Sequence, residues 1–206
     1  MAAKRKIDRP VSGGAVLRER VTAAITDAAL GELADVGYAR MSMEAVARRA
    51  GVGKAALYRR WPSKQAMITE LVRSKITETL PHIPATGDLH SDLRGLLAAY
   101  HSHLANPLVA LIGADLLAES RRDSTLADML QTEVAAPRRQ AARCVLQGAI
   151  DHGELPPTLD LKLATDLLIA PLAFRTLILD ERSDDEYLET LTAATLAALK
   201  AAVRQP

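Results

Sequence analysis

The chain has 206 residues, a formal net charge of +1 and 49% hydrophobic residues, which predicts a soluble globular protein with ample chain for a core. The single Cys144 excludes an internal disulfide and a cysteine-based zinc finger. No apolar run is long enough to span a membrane, and the basic first residues are not followed by the apolar core of a signal peptide. We therefore expect no membrane association and a cytoplasmic location.

Charge is distributed unequally along the chain. Residues 1–75 hold 15 Lys and Arg against 7 Asp and Glu, a charge of +8, whereas residues 76–206 hold 11 against 18, a charge of −7. A basic segment joined to an acidic one indicates that the first part meets a polyanion and the second does not. A basic run can also be no more than a solvated face. The residue pattern within the basic segment distinguishes these two interpretations.

Two elements come before that pattern. Residues 4–14 are basic and contain Pro10 and two glycines, which is typical of a flexible arm that either contacts a polyanion or is a disordered tail. From about Gly14 to Val36 apolar residues recur every three or four positions. This spacing predicts an amphipathic helix that ends at Gly37.

Residues 40–64, RMSMEAVARRAGVGKAALYRRWPSK, have the pattern of a helix-turn-helix. Ser42 suits the cap of a short first helix, and small apolar residues after it allow a second helix to cross closely. Gly51 follows directly, where the chain must leave the helix through a residue that tolerates positive φ.

The second helix of the pattern is predicted to run from Lys54 to Trp61. Leu57 and Trp61 lie four residues apart and face inward, and Pro62 ends the helix because it disfavours helical geometry at the residue before it. The outer surface is left to Lys54, Ala55, Tyr58, Arg59 and Arg60.

These residues resemble the DNA-binding end of the TetR family of bacterial transcriptional regulators. That family typically has a glycine turn, a tyrosine late in the recognition helix, an aromatic residue three positions later and a Ser-Lys pair that opens a fourth helix. This chain has Gly51, Tyr58, Trp61 and Ser63-Lys64 at those places. The resemblance covers roughly the first third of the chain well, and the remainder only in size and helical character.

The resemblance implies a homodimeric repressor that binds operator sites in double-stranded DNA and is released by a small-molecule effector. We expect Lys54, Ala55 and Arg59 near base edges, with polar neighbours on phosphates. Gly53 departs from the family, which often has Ser or Thr there, so a hydroxyl contact to phosphate is missing. The full predicted interface is Ser42, Met43, Gly53, Lys54, Ala55, Tyr58, Arg59, Arg60 and Lys64.

The rest of the chain has only helical patterns. A fourth helix runs from Ser63 to about Pro81, and residues 81–88, with two prolines and a glycine, form the one evident linker. We predict an all-α fold of about nine helices. A three-helix head and the fourth helix occupy residues 1–80, and a ligand-binding and dimerisation bundle occupies residues 81–206.

Five helices are predicted in the bundle. The longest covers about residues 125–152, begins after a cap at Ser124 and is interrupted at Pro137, where a kink is expected. The last two cover about residues 160–180 and 184–204 and carry apolar stripes that suit a four-helix interface with a second copy. The same stripes could instead cover the monomer's own core. The predicted interface residues are Leu161, Leu168, Leu172, Leu188, Leu191, Thr195 and Leu199.

An effector pocket is expected among the fourth to eighth predicted helices, although each of its candidate residues also suits a plain core. Few aromatic residues are present, which favours an aliphatic or mixed ligand. The candidate lining residues are Leu71, Tyr100, His103, Leu104, Leu111, Ile112, Asp115, Met129, Cys144, Leu168 and Phe174.

Other chemistry has little support in the sequence. His101 and His103 point to different faces of a helix, so we predict no metal site and no cofactor. No nucleophile motif or phosphate loop is present, so we predict no enzymatic activity. Arg138, Arg139 and Arg143 suit either surface ion pairs or a clamp for an anionic ligand. The alternative overall function is a helical ligand-binding or scaffold protein whose basic head contacts a protein or an anionic surface.

Overall fold

The computed structural model describes residues 13–79 and 86–202, with side chains from residue 20 onward. Helices account for nearly all of this part of the chain, and it contains no β-sheet, which confirms the predicted all-α class. The helices are α1 (Gly13–Arg40), α2 (Met43–Arg49), α3 (Lys54–Arg60), α4 (Lys64–Thr79), α5 (Leu89–Leu104), α6 (Pro107–Ser120), α7 (Ser124–Leu130), a π-helical segment (Gln131–Ala135), α8 (Ala136–Asp151), α9 (Leu161–Leu177) and α10 (Asp185–Ala201).

The run from α7 through the π-helical segment to α8 is continuous, so the described residues form nine helical stretches. They divide into two compact units between Ala66 and Met67, within the first turn of α4. The proposed limit of the DNA-binding domain at residue 80 stays a prediction. The predicted basic arm of residues 4–14 falls almost wholly outside the described residues, as does most of the linker at residues 81–88. Within the described ranges, no helix is both long enough and apolar enough to cross a membrane.

The first unit packs α1, α2 and α3 around a small apolar core. Gly37 has φ 77° and ψ 166°, so α1 is broken where the sequence predicted its end, and one helical turn follows as far as Arg40. Leu33, Val46 and Leu57 contribute one fully buried side chain each from α1, α2 and α3. The core therefore fixes α3 against the other two helices.

The second unit is a bundle whose core lies among α5, α8, α9 and α10. Its helix caps are short polar side chains: Asn106, Asp160 and Asp184 each accept hydrogen bonds from backbone N–H groups at the start of α6, α9 and α10. The predicted cap at Ser124 is wrong by one residue. Asp123 accepts hydrogen bonds from the N–H groups of Thr125 and Leu126, both at 3.0 Å, and Ser124 is the first helical residue.

The predicted interruption of the long helix takes the form of the π-helical segment at Gln131–Ala135, directly before Pro137. Proline lacks the N–H that would bond to residue i−4, and its ring crowds that carbonyl. Here residue i−4 is Glu133, which lies inside the π-helical segment. The wider turn makes room for the ring while the helix continues.

Candidate nucleic-acid interface

The turn between α2 and α3 is built as the sequence indicates. Ser42 caps α2, since its Oγ accepts a hydrogen bond from the Ala45 N–H at 3.2 Å. Gly51 has φ +66°, which a residue with a side chain rarely adopts. The Val52 N–H then donates to the Ala47 carbonyl at 3.0 Å and closes the turn. The two helices are thereby held at a defined crossing.

One face of α3 is buried and the other is exposed to solvent. Leu57 and Trp61 are 0% and 2% exposed and anchor the helix to the core of the first unit. The five residues predicted for the outer surface are all exposed, namely Lys54, Ala55, Tyr58, Arg59 and Arg60. Side chains of this kind reach base edges and phosphates when such a helix lies in the major groove.

Glu44 of α2 organises two of these side chains. Its carboxylate forms an ion pair with Lys54 at 2.5 Å and accepts a hydrogen bond from the Tyr58 hydroxyl at 3.3 Å. The hydrogen bond with Lys54 lowers the pKa of Glu44, and the same bond raises the pKa of Lys54. The predicted interface does not include Glu44, because the sequence pattern identifies it only as a favourable charge in the first turn of a helix.

The two arginines at the end of α3 differ in their surroundings. Arg60 is hydrogen-bonded to Thr22 of α1, and its guanidinium lies 4.5 Å from the centroid of the Trp61 ring. Arg59 is exposed and forms no hydrogen bond or ion pair with another residue that the structure describes. Arg59 is therefore free to meet a base edge without first breaking a contact.

Lys64, the first residue of α4, contacts the end of α1. Its Nζ donates to the Tyr38 carbonyl at 2.6 Å and lies 4.3 Å from the centroid of the Tyr38 ring. The predicted phosphate contact by Lys64 stays a prediction, and the structure adds a contact of Lys64 with Tyr38 within the first unit.

Met43, which the sequence also placed in the interface, is only 3% exposed and belongs to the core of the first unit. Its contact with DNA stays a prediction. Gly53 is exposed and is the N-cap of α3 without any side-chain hydrogen bond.

The candidate pocket residues fall into three groups. Leu71, Tyr100, Ile112, Met129 and Leu168 are buried, and His103, Leu104 and Asp115 are partly buried. Leu111, Cys144 and Phe174 are exposed. The lining of the effector pocket stays a prediction. In α8 the next two residues, Val145 and Leu146, face the core, so the helical rotation of about 100° per residue turns Cys144 outward.

The predicted dimer face is mostly the monomer's own core. Leu168, Leu172, Leu188, Thr195 and Leu199 are at most 4% exposed, so they are not available to a second copy. Leu161 and Leu191 are partly buried and pack against the same core. The five buried residues therefore fit the alternative interpretation, in which the stripes cover the core of the bundle, and the position of the dimer interface stays a prediction.

A metal site has no support within the described ranges, where no group of three or more His, Cys, Asp or Glu side chains is placed to hold an ion. The geometry instead defines a class: a helix-turn-helix DNA-binding unit joined by a shared helix to an all-α bundle.

Comparisons with known proteins agree with this class. Residues 25–71 match the family model of bacterial regulatory proteins of the tetR family, and residues 83–195 match the model of the tetracyclin repressor-like C-terminal domain. The chain belongs to the TetR family of transcriptional regulators.

Individual relatives extend over most of the chain. It is 30% identical over 181 residues to the HTH-type transcriptional regulator YdeS of Bacillus subtilis (strain 168), covering 86% of this chain and 89% of YdeS. It is 29% identical over 181 residues to the DNA-binding transcriptional repressor TetR of Mycobacteroides abscessus, covering 88% and 94%. The crystal structure of the TetR family regulator SCO0332 superposes with a TM-score of 0.66 at 31% identity, covering 86% of this chain and 97% of that one.

Proposed function

We propose that this regulator is a repressor that binds operator DNA as a homodimer and that a small molecule bound in the second unit lowers its operator affinity. The observation that carries the proposal is the outer face of α3, which is basic and exposed while Leu57 and Trp61 anchor the opposite face. The name of the M. abscessus relative, a transcriptional repressor, supports the direction of regulation.

Within this proposal the interface residues have different roles. Lys54, Ala55 and Arg59 meet base edges, whereas the other polar residues of the predicted interface position the protein on phosphates. The ammonium group of Lys54 forms an ion pair with the Glu44 carboxylate. Lys54 must break this ion pair before it contacts DNA. The remaining proposed contacts to phosphate come from Ser42, Tyr58, Arg60 and Lys64.

A homodimer follows from the way a helix-turn-helix reads DNA, since two half-sites about 34–36 Å apart need two recognition helices. We propose the outer side of α9 as the dimer face. Leu163 and Phe174 lie along it and Ile178 follows its last residue, and these side chains are 49%, 56% and 66% exposed. The spacing of 11 residues between Leu163 and Phe174 places both on one face of the helix.

Release by an effector is supported by the course of α4, which begins at Lys64 in the first unit and continues from Met67 in the second. A ligand lowers operator affinity if it binds better to a conformation that does not fit the operator. We assign no catalytic reaction. The polar residues Ser120 and Asp123 have structural roles, since Ser120 Oγ donates to the Leu117 carbonyl and Asp123 caps α7.

The proposed DNA contacts are tested by measuring binding of labelled DNA from upstream of the protein's own gene, with and without random competitor DNA. We expect Arg59→Ala to lower affinity for the specific site tenfold or more, in line with about 1–3 kcal/mol for a base contact. Lys64→Ala should weaken specific and random DNA alike and reduce the salt slope by about one.

The matched control is Arg122→Ala, which removes an exposed arginine from the acidic second unit. Its affinity for the specific site should equal that of the wild type. If Arg59→Ala also leaves specific binding unchanged, or if random competitor abolishes all binding by the wild type, the proposed role of α3 is wrong and a scaffold function is favoured.

A further inference from the structure

Arg138, in the first turn of α8, is a partly buried arginine without a counter-charge. Two other arginines in the described part of the second unit are partly buried, and each is paired: Arg94 lies 2.8 Å from Asp185, and Arg175 lies 2.7 Å from Glu181. The guanidinium of Arg138 forms no hydrogen bond and no ion pair with any residue in the described part of the chain. A partly buried charge left unpaired destabilises a fold. An arginine kept in such a position indicates a function other than stability.

Tyr100 and His103 of α5 lie near Arg138, and Lys75 of α4 lies near His103. The Tyr100 hydroxyl of α5 donates to the Arg138 backbone carbonyl at 2.6 Å. His103 lies three residues further along α5. It is close enough to Arg138 and to Lys75 of α4 for their charges to lower its pKa. Lys75 itself is paired with Glu78 at 2.8 Å. The uncompensated charge of Arg138 in α8 therefore lies beside polar groups of α5, and the charge of Lys75 in α4 reaches His103 of that group.

The pKa values of these groups agree with the geometry. Burial lowers the pKa of the Arg138 guanidinium. Burial, followed by the charges of Arg138 and Lys75, lowers the pKa of His103 to about 4, so its imidazole is neutral near pH 7 and can donate one N–H. Burial also raises the pKa of the Tyr100 hydroxyl, which stays protonated. The cluster therefore offers a cation and a neutral donor, and no anion.

We propose that Arg138 and His103 form the subsite that holds an anionic group of the effector, a carboxylate or a phosphate. An anion would supply the charge-assisted hydrogen bonds that the guanidinium lacks in the free protein, and the fork of N–H donors suits both oxyanions. The inference rests on the proposed function, because it assigns a chemical class to the effector. Lys75 of α4, the helix in which the two units meet along the chain, is close enough for its charge to lower the pKa of His103.

Arg139 and Arg143, which the sequence grouped with Arg138, have different surroundings. Arg139 lies 3.4 Å from Asp166 and Arg143 is exposed, so both fit the interpretation of a solvated surface. The alternative interpretation, a clamp for an anionic ligand, therefore applies to Arg138 alone, and Arg139 serves as its matched control.

The first test uses the full-length protein and two small anions as probes. These anions carry only the charged group, so the test does not require the identity of the effector. Sodium formate and inorganic phosphate are titrated at constant ionic strength against sodium chloride, and the Arg138 Nε–Hε signal is followed by NMR. With three heavy atoms, formate should bind no tighter than about millimolar. We expect a saturable shift with at least one probe, formate alone indicating a carboxylate and phosphate alone a phosphate.

Variants identify the site. In Arg139→Gln the saturable shift of the Arg138 signal should persist, whereas in Arg138→Gln the saturable shift of the His103 imidazole signals should be lost. If neither probe shifts the Arg138 signal more than chloride does, or if the His103 response survives Arg138→Gln, the proposal is wrong.

A second measurement needs no ligand. Because the Arg138 guanidinium has no partner, Arg138→Gln should leave the thermal midpoint of the free protein equal or higher, whereas Arg94→Gln should lower it. If Arg138→Gln lowers the thermal midpoint as much as Arg94→Gln does, Arg138 has a structural partner and the proposal is wrong.

The anion titrations do not depend on DNA binding. Failure of the wild type to bind operator DNA would reject the proposed function and leave the result of the titrations unaffected.

Discussion

Gly51 and Gly53 are two residues apart and have opposite conformational needs. Gly51 has φ +66°, in the left-handed region, whereas Gly53 has φ −67° and ψ 138°, which any residue adopts as a helix N-cap. A Cβ added at either position would have no heavy atom within 4 Å. Because neither position is crowded, a difference in stability between substitutions at Gly51 and at Gly53 reports the backbone strain at Gly51.

We predict that Gly51→Ala lowers the free energy of unfolding by about 1–2 kcal/mol, the cost of holding an L-residue in the left-handed region. Gly53→Ser should raise it by a few tenths of a kcal/mol, because a serine side chain can accept a hydrogen bond from the first turn of α3. Denaturant unfolding of the two variants and the wild type measures both changes. Equal effects at the two positions would contradict the assigned backbone roles.

At the scale of elements, an ion pair links the π-helical segment to α4. Arg73 of α4 donates two hydrogen bonds to the two carboxylate oxygens of Glu133, both at 2.7 Å. The hydrogen bonds from Arg73 lower the pKa of Glu133. A planar guanidinium that meets a carboxylate in this way fixes orientation as well as distance.

We predict a favourable coupling free energy between Arg73 and Glu133, measured by a double-mutant cycle with Arg73→Ala and Glu133→Ala. It should exceed that of Lys75 and Glu78, which lie three residues apart on one helix. It should shrink at high salt, because the arginine side chain is exposed.

The pH dependence of this coupling has a definite sign. Because the pKa of Glu133 is lowered in the folded protein, the coupling is present above the ordinary pKa of a glutamate and is lost as the pH falls through the lowered value. Coupling that is insensitive to salt and to acid would contradict an ionic link between α4 and the π-helical segment.

At the scale of the whole molecule, α9 has apolar residues on two faces, and only one of them is covered. Its inner face, with Leu168 and Leu172, is buried in the bundle, while Leu163 and Phe174 on its outer face, and Ile178 directly after its end, are exposed. Exposed apolar side chains that continue along one helix face are typical of an interaction surface. A homodimer would bury them.

We predict that Phe174→Asp converts a dimer into a monomer, because it places a charge in an apolar interface. The molecular mass in solution, measured by light scattering during size-exclusion chromatography, should fall by half, and operator affinity should fall with it. Leu117→Asp, at an exposed position on α6 outside the proposed face, is the matched control and should stay dimeric. A Phe174→Asp variant that remains a dimer would exclude α9 as the centre of the interface.

The sequence alone determined the features that depend on neighbouring residues. Ser42 as a cap, Gly51 in the turn, and the inward direction of Leu57 and Trp61 follow from helix geometry and backbone sterics over a few residues. The exposed face of α3, and with it most of the candidate DNA interface, could therefore be predicted. The buried position of Met43 could not, because it depends on packing against helices other than α2.

Only the tertiary structure decided which of two apolar faces becomes the core. Leu168 and Phe174 both lie on apolar faces of α9, and the hydrophobic period of a helix does not distinguish a face that packs on the same chain from one left for a second copy. The partners of charged groups are likewise settled across helices, as in the pairing of Lys54 with Glu44. The isolation of Arg138 has the same origin, because the charges that meet a side chain depend on which helices pack together.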